Sequence, residues 1–169
     1  METKELNKAL RDRARELGLC DKWYKEWDKK STRQELIEKY IKGIDFCIQH
    51  DFPNLDFARE YFPKNQLVQN GIFLDDSVDA YNLKTAVLLG ESKGEIRYDG
   101  QRAGDVYVRH QSEVVITAEG GARVFVEAYD NCKIIAEADE TSKIFVYYHG
   151  GDVSSEGSVL IRDKRKAGN

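Results

Sequence analysis

From Asn82 to Gly151 the chain divides into seven consecutive rows of ten residues that repeat one pattern of apolar and polar positions. The fifth position of the rows is Ala86, Ile96, Val106, Ile116, Val126, Ala136 and Val146, apolar in every case. The seventh is Leu88, Tyr98, Val108, Ala118, Ala128, Ala138 and Tyr148, and from the fourth row the third position joins with Val114, Val124, Ile134 and Ile144. Side chains alternate along a strand, so these three positions project to one side of it. Positions eight to ten collect Gly, Asp, Asn, Glu and His, residues that make turns. A fixed short period is the mark of a repeat architecture. The pattern predicts a β-solenoid in which each row is one side of a coil, with an antiparallel β-meander of hairpins as the alternative. The solenoid is favoured by the constant row length, by the small residues Ser112, Ala122, Cys132 and Ser142 at the first position, where a corner turns inward, and by alanine at position seven in three successive rows. The segment DVSSEGSVLIRD at 152–163 departs from the row and moves its apolar pair to Val159 and Ile161. Terminal repeats are atypical because they close an open edge.

Before the repeats the period is helical. Leu6, Ala9, Leu10, Ala14 and Leu17 form one stripe at spacings of three and four, and Gly18 stands where a glycine ends a helix. Trp23, Tyr24 and Trp27 follow, with Trp23 and Trp27 on one face of a short helix and in a small core; a sugar platform or a partner anchor is the functional alternative. Ser31 with Gln34, or Thr32 with Glu35, fits a capping box for a helix that buries Leu36, Ile37, Tyr40, Ile41, Ile44 and Ile48 and stops at Pro53. Asn54 caps a further helix that ends before Pro63. The fold class is α+β: a helical region over 1–66, a β-repeat region over 67–163, and a basic tail over 164–169. The helical region is a candidate cap for the first coil.

The tracts Ala122-Arg-Val-Phe-Val-Glu-Ala-Tyr-Asp130 and Ile134-Ile-Ala-Glu-Ala-Asp139 resemble the short-repeat β-solenoids of bactofilin-like polymer-forming proteins and similar alternating tracts in bacterial and phage proteins. The likeness is one of pattern, spans less than half of the chain, and implies a solenoid fold. Bactofilins usually lack a helical head of this size, so filament formation is not implied with it.

Composition narrows the classes. Charged residues make up 33% of the chain and apolar residues 41%, the balance of a soluble folded protein. No apolar run approaches the roughly 18 residues that span a bilayer, and the charged N-terminus carries no secretory signal. The net charge of −4 argues against a general nucleic-acid binder, although residues 1–50 hold 12 Lys and Arg against 10 Asp and Glu and the stretch from Arg162 to Asn169 is basic. Three scattered cysteines, Cys20, Cys47 and Cys132, form no disulfide framework and point to a reducing compartment, the cytoplasm.

Candidate chemistry is sparse. The chain has no GxGxxG after a strand, no P-loop, no HExxH and no GxSxG. Ser92 and Lys93 sit in a turn between Gly90 and Gly94 without the frame of a nucleophile elbow. His50, His110 and His149 fall in turns and read as solvated, and the turn acids Asp99, Asp130 and Asp139 lack the strict nonapeptide of calcium-binding β-rolls. No catalytic residue, cofactor or metal site is assigned, and the expectation is a non-enzymatic protein. Position four carries the functional hint: it points outward, yet its later members are Val115, Phe125, Ile135 and Phe145. Outward hydrophobes in successive rows require cover. In a two-sided coil they split into Val115 with Ile135 and Phe125 with Phe145, one set for the helices and the other for a second subunit or protein partner. The alternative is a ligand module for a carbohydrate or small anionic metabolite, using Tyr107, Arg109 and Tyr147 along one strand face.

Overall fold

A computed structural model describes residues 1–166. The chain forms two compact units, Met1–Asn70 and Gly71–Asn169. The division comes later than the expected boundary after residue 66, because a last short helix follows Pro63 before the period changes.

The first unit contains α1 (Thr3–Glu16), α2 (Asp21–Glu26), α3 (Arg33–Lys42), α4 (Ile44–His50), α5 (Leu55–Tyr61) and α6 (Lys64–Gln69). Leu6, Leu10 and Ala14 of α1 are buried, as the stripe predicts, and Gly18 follows the helix with φ +96°. Of the two capping boxes, Thr32 with Glu35 is the one formed. Asn54 accepts a hydrogen bond from the Phe57 N–H at 2.9 Å. The helix expected to run to Pro53 breaks at Gly43 into α3 and α4, since Gly favours a joint over a helix interior. Trp27 and Trp23 do not share a helix face: Trp27 has left the helix, is buried, and donates from Nε1 to Asn7 Oδ1 at 2.6 Å. Trp23 and Tyr24 stay half-buried, the latter under the Arg11 guanidinium. His50 ends α4 rather than lying in a turn, with its ring 4.6 Å from that of Phe46.

The second unit is a two-sided β-solenoid with strands β1 (Ile72–Leu74), β2 (Ser77–Tyr81), β3 (Thr85–Leu89), β4 (Lys93–Asp99), β5 (Ala103–Val108), β6 (Glu113–Glu119), β7 (Arg123–Ala128), β8 (Lys133–Ala138), β9 (Lys143–Tyr148), β10 (Asp152–Gly157) and β11 (Val159–Asp163). The odd-numbered strands make one six-stranded sheet, sheet A, and the even-numbered ones make a five-stranded sheet, sheet B. Every pairing is parallel, which excludes the antiparallel meander. Two rows therefore make one coil, and the structural period is twice the period of the sequence pattern: Val106 pairs with Val126 and Val126 with Val146. The solenoid begins before the seven rows, at Ile72. Its first coil is shorter, with Ser77 beside Lys93, so the row pattern does not reach it.

Positions three, five and seven fill the core. Ile96, Val106, Ile116, Val126 and Val146 are wholly inaccessible, and so are Ala118 and Ala128. Tyr98 is accommodated because Gly104 lies against its ring: a Cβ there would sit 2.3 Å from Cε1. The corner position is buried too. The Ser92 hydroxyl, with one proton to share, lies within donating distance of the carbonyls of Phe73 (3.0 Å) and Leu89 (2.9 Å), and Ser142 Oγ accepts from the Gly121 and Ala122 N–H groups. A small hydroxyl thus satisfies backbone groups that a tight turn leaves inside. In the terminal coil, Val159 pairs with Ile144 and Ile161 with Val146, which explains the shifted apolar pair.

Candidate functional site

The outward side chains of the solenoid form in-register ladders on two faces. On sheet A the central ladder runs Asp105, Phe125, Phe145 and Leu160. The rings of Phe125 and Phe145 stack with centroids 5.2 Å apart and planes 8° from parallel. Phe125 remains 37% exposed and Leu160 39%. On sheet B the equivalent ladder is Asp79, Glu95, Val115, Ile135 and Ser154, with Ile135 45% exposed. The four expected outward hydrophobes thus split between the faces as two rows per coil require. Leu160 is an addition that row-by-row reading missed, because the last coil is shortened.

A shallow groove of about 380 Å³ is lined by Val115 and Ile135 together with Lys93, Glu113, Lys133 and Asp152. Glu113 lies 3.6 Å from both Lys93 and Lys133, so the groove's rim is a ladder of alternating charge.

Beside the phenylalanines, sheet A carries the ladder Tyr107, Glu127, Tyr147 and Arg162. Next to it, at the turn, are Arg109, Tyr129 and His149. Arg109 forks onto Asp130, from Nε to Oδ2 at 2.8 Å and from Nη2 to Oδ1 at 3.3 Å. Its guanidinium lies over the Tyr129 ring, which stacks in turn on His149 with centroids 4.2 Å apart. His149 Nε2 is 2.6 Å from Glu127 Oε2. The candidate ligand residues Tyr107, Arg109 and Tyr147 therefore share one face, but Arg109 is largely buried against Asp130.

The turn histidines His110 and His149 are partly buried and bonded rather than solvated. His110 takes the left-handed conformation (φ 60°) that Gly90 and Gly120 hold in neighbouring turns. It keeps that conformation with two bonds: its Nδ1 accepts from the Gly90 N–H, and its own N–H donates to Asp130 Oδ2, both at 3.0 Å. Burial pushes the Asp130 carboxyl up, but the Arg109 guanidinium and the His110 N–H outweigh it and hold the group below the usual carboxylate range. Asp139 accepts from the Gly120 N–H of the preceding coil and from the Thr141 hydroxyl, which lower it to about 2. These carboxylates pin one coil to the next. Among the described residues no group of three or more His, Cys, Asp or Glu is arranged to hold a metal ion.

The two faces also differ in charge. Within the strands, the outward positions of sheet A carry Arg123, Lys143 and Arg162 against Asp105 and Glu127. Those of sheet B carry Lys93, Arg97 and Lys133 against Asp79, Glu95 and Asp99 on its first two strands, Glu113, Glu119 and Glu137 on the middle ones, and Asp152 and Glu156 on the last. No family model matches this chain, and neither any curated protein nor any solved structure matches it.

Proposed function

We propose that this chain is a non-enzymatic structural or interaction protein that self-associates through its β-solenoid. The observation that carries this reading is the stacked Phe125–Phe145 pair, Phe125 exposed and Phe145 half-buried, extended by the exposed Leu160 on a hydrogen-bonded sheet. Aromatic rings held by a rigid scaffold lose little conformational freedom on binding, and an exposed apolar stripe of this kind gains by being covered. Stacked strands offer an extended surface rather than a cleft where reacting groups converge. The scattered cysteines support a reducing compartment, for which the cytoplasm is the simplest choice. No helix among the described residues is long and apolar enough to cross a membrane.

Light scattering across a concentration series tests the reading. The native chain is expected to exceed its monomer mass of 19.4 kDa. Phe125→Glu with Phe145→Glu is expected to restore that mass while leaving the circular dichroism unchanged, because both residues point away from the core. A native chain that stays monomeric overturns the proposal. A second reading, a module for a carbohydrate or small anion, draws on the Tyr107–Glu127–Tyr147 ladder beside Arg109. It predicts a ligand-dependent rise in melting temperature in a screen of sugars and nucleotides, reduced by Tyr147→Ala.

A further inference from the structure

The opposite faces of the solenoid complement each other, and we infer that sheet A of one copy docks on the sheet B groove of a second copy. The inference rests on the self-association proposed above and specifies its geometry. Each face has an apolar centre, Phe125 with Phe145 on one and Val115 with Ile135 on the other. The first centre is a stacked aromatic pair and the second is the floor of a groove. Both flanks carry charges of each sign, but the balance differs: the outward strand positions hold three cations against two carboxylates on sheet A, and three against eight on sheet B. Arg123 and Lys143 occupy the ladder beside the phenylalanines, and Glu137 and Glu156 occupy a ladder beside the groove's apolar floor. Two sheet B faces brought together would meet with a large excess of carboxylates on both sides, at a cost, whereas sheet A meets that excess with a slight surplus of cations. A polyanion fits sheet A less well, because Glu127 and Asp105 stand on that same face.

A contact between two different faces leaves one of each unused on the resulting pair, so it repeats without closing. Sheet A from β5 to β11 is four strands wide. At about 4.8 Å per strand and about 20 Å along each, it offers roughly 400 Å² per copy. That is roughly 800 Å² in total, below the range of about 1,200–2,000 Å² for stable specific interfaces. Each contact is therefore weak, and growth depends on concentration and on salt.

The test uses two blocked variants of the full chain. One is Phe125→Glu with Phe145→Glu, which spoils sheet A. The other is Val115→Glu with Ile135→Glu, which spoils sheet B. Measured by light scattering up to about 0.5 mM, where contacts of this size are populated, native mass is expected to climb without levelling and to fall at high salt. Each variant alone is expected to be monomeric. An equal mixture is expected to form a complex that stops at two copies, because only one unspoiled A–B contact is available. If the sheet B variant self-associates like the native chain, or the mixture stays monomeric, the face-to-face geometry is overturned while self-association stands. If the native chain itself stays monomeric, self-association falls. Should the sheet B variant misfold by circular dichroism, Glu95→Lys with Glu156→Lys alters only exposed charges and is expected to weaken native growth at least tenfold. Unchanged growth in that variant overturns the proposal.

Discussion

Tyr98 is the largest fully buried side chain among the described residues, and its hydroxyl has no hydrogen-bond partner among them. Burial, with the charge of Asp105 adding to it, pushes the phenol's pKa well above its ordinary value, so the group stays neutral. An unsatisfied buried hydroxyl costs about 1–3 kcal/mol. Tyr98→Phe is therefore expected to leave urea stability unchanged or to raise it by about 1 kcal/mol. A clear loss would mean that the hydroxyl is satisfied after all. Gly104→Ala is expected to do the reverse, costing about 1–3 kcal/mol, because the new methyl would overpack the ring. At the surface, Asp139 supplies a titration test. Its folded pKa of about 2 lies below its ordinary value of 3.8, so its contribution to stability is present above that value and is lost as pH falls towards 2. Asp139→Asn is expected to flatten the decline in melting temperature between pH 4 and pH 2. A slope identical to the native one would show that the Gly120 N–H does not depend on this carboxylate.

At the scale of elements, most of the solenoid was legible because its core is one-dimensional. From Ile96 to Val146 the inner strand positions are apolar or small for the same reason in every coil, and the row pattern repeats that reason in sequence. The corner serines were legible as small residues, although their hydrogen bonds across to neighbouring coils were not. What the rows hid was the second period. Successive rows lie on opposite sheets, so a column such as Arg109, Glu119, Tyr129, Asp139 and His149 mixes two faces and looks like ordinary turn chemistry. Taking every second row separates the ladder Arg109, Tyr129, His149 from the acids Glu119 and Asp139. The same step exposes the charge difference between the faces, which partly cancels in the net charge. In the helical unit, caps were readable where a side chain bonds its own turn, as at Thr32 and Asn54. The break at Gly43 was not, because the apolar spacing of Ile41 and Ile44 runs through it.

For the whole molecule, the doubled period decides which changes the solenoid can absorb. Stability of a repeat array is close to a sum over units and their neighbours. Excision of residues 113–132 removes one complete coil and joins Ser112 to Lys133, whose N–H already bonds the Ser112 carbonyl at 2.9 Å. Parallel registry then places Val146 beside Val106 and Ile134 beside Gly94, so the inner columns stay continuous. The shortened chain is expected to keep a strand-rich circular dichroism spectrum and cooperative unfolding, with a smaller urea m-value because less surface is exposed on unfolding. The outer faces fare differently. Val115 and Phe125 are lost together, Phe145 comes to lie beside Asp105, and the aromatic stack and apolar floor disappear from the two faces at once. A folded but strictly monomeric deletion variant is the expected result. If it self-associates as the native chain does, the adhesive surface lies outside the two central ladders. If it fails to fold, the coils are not interchangeable, and the ladders of Asp130 and Arg109 that the excision breaks are needed for the array to hold.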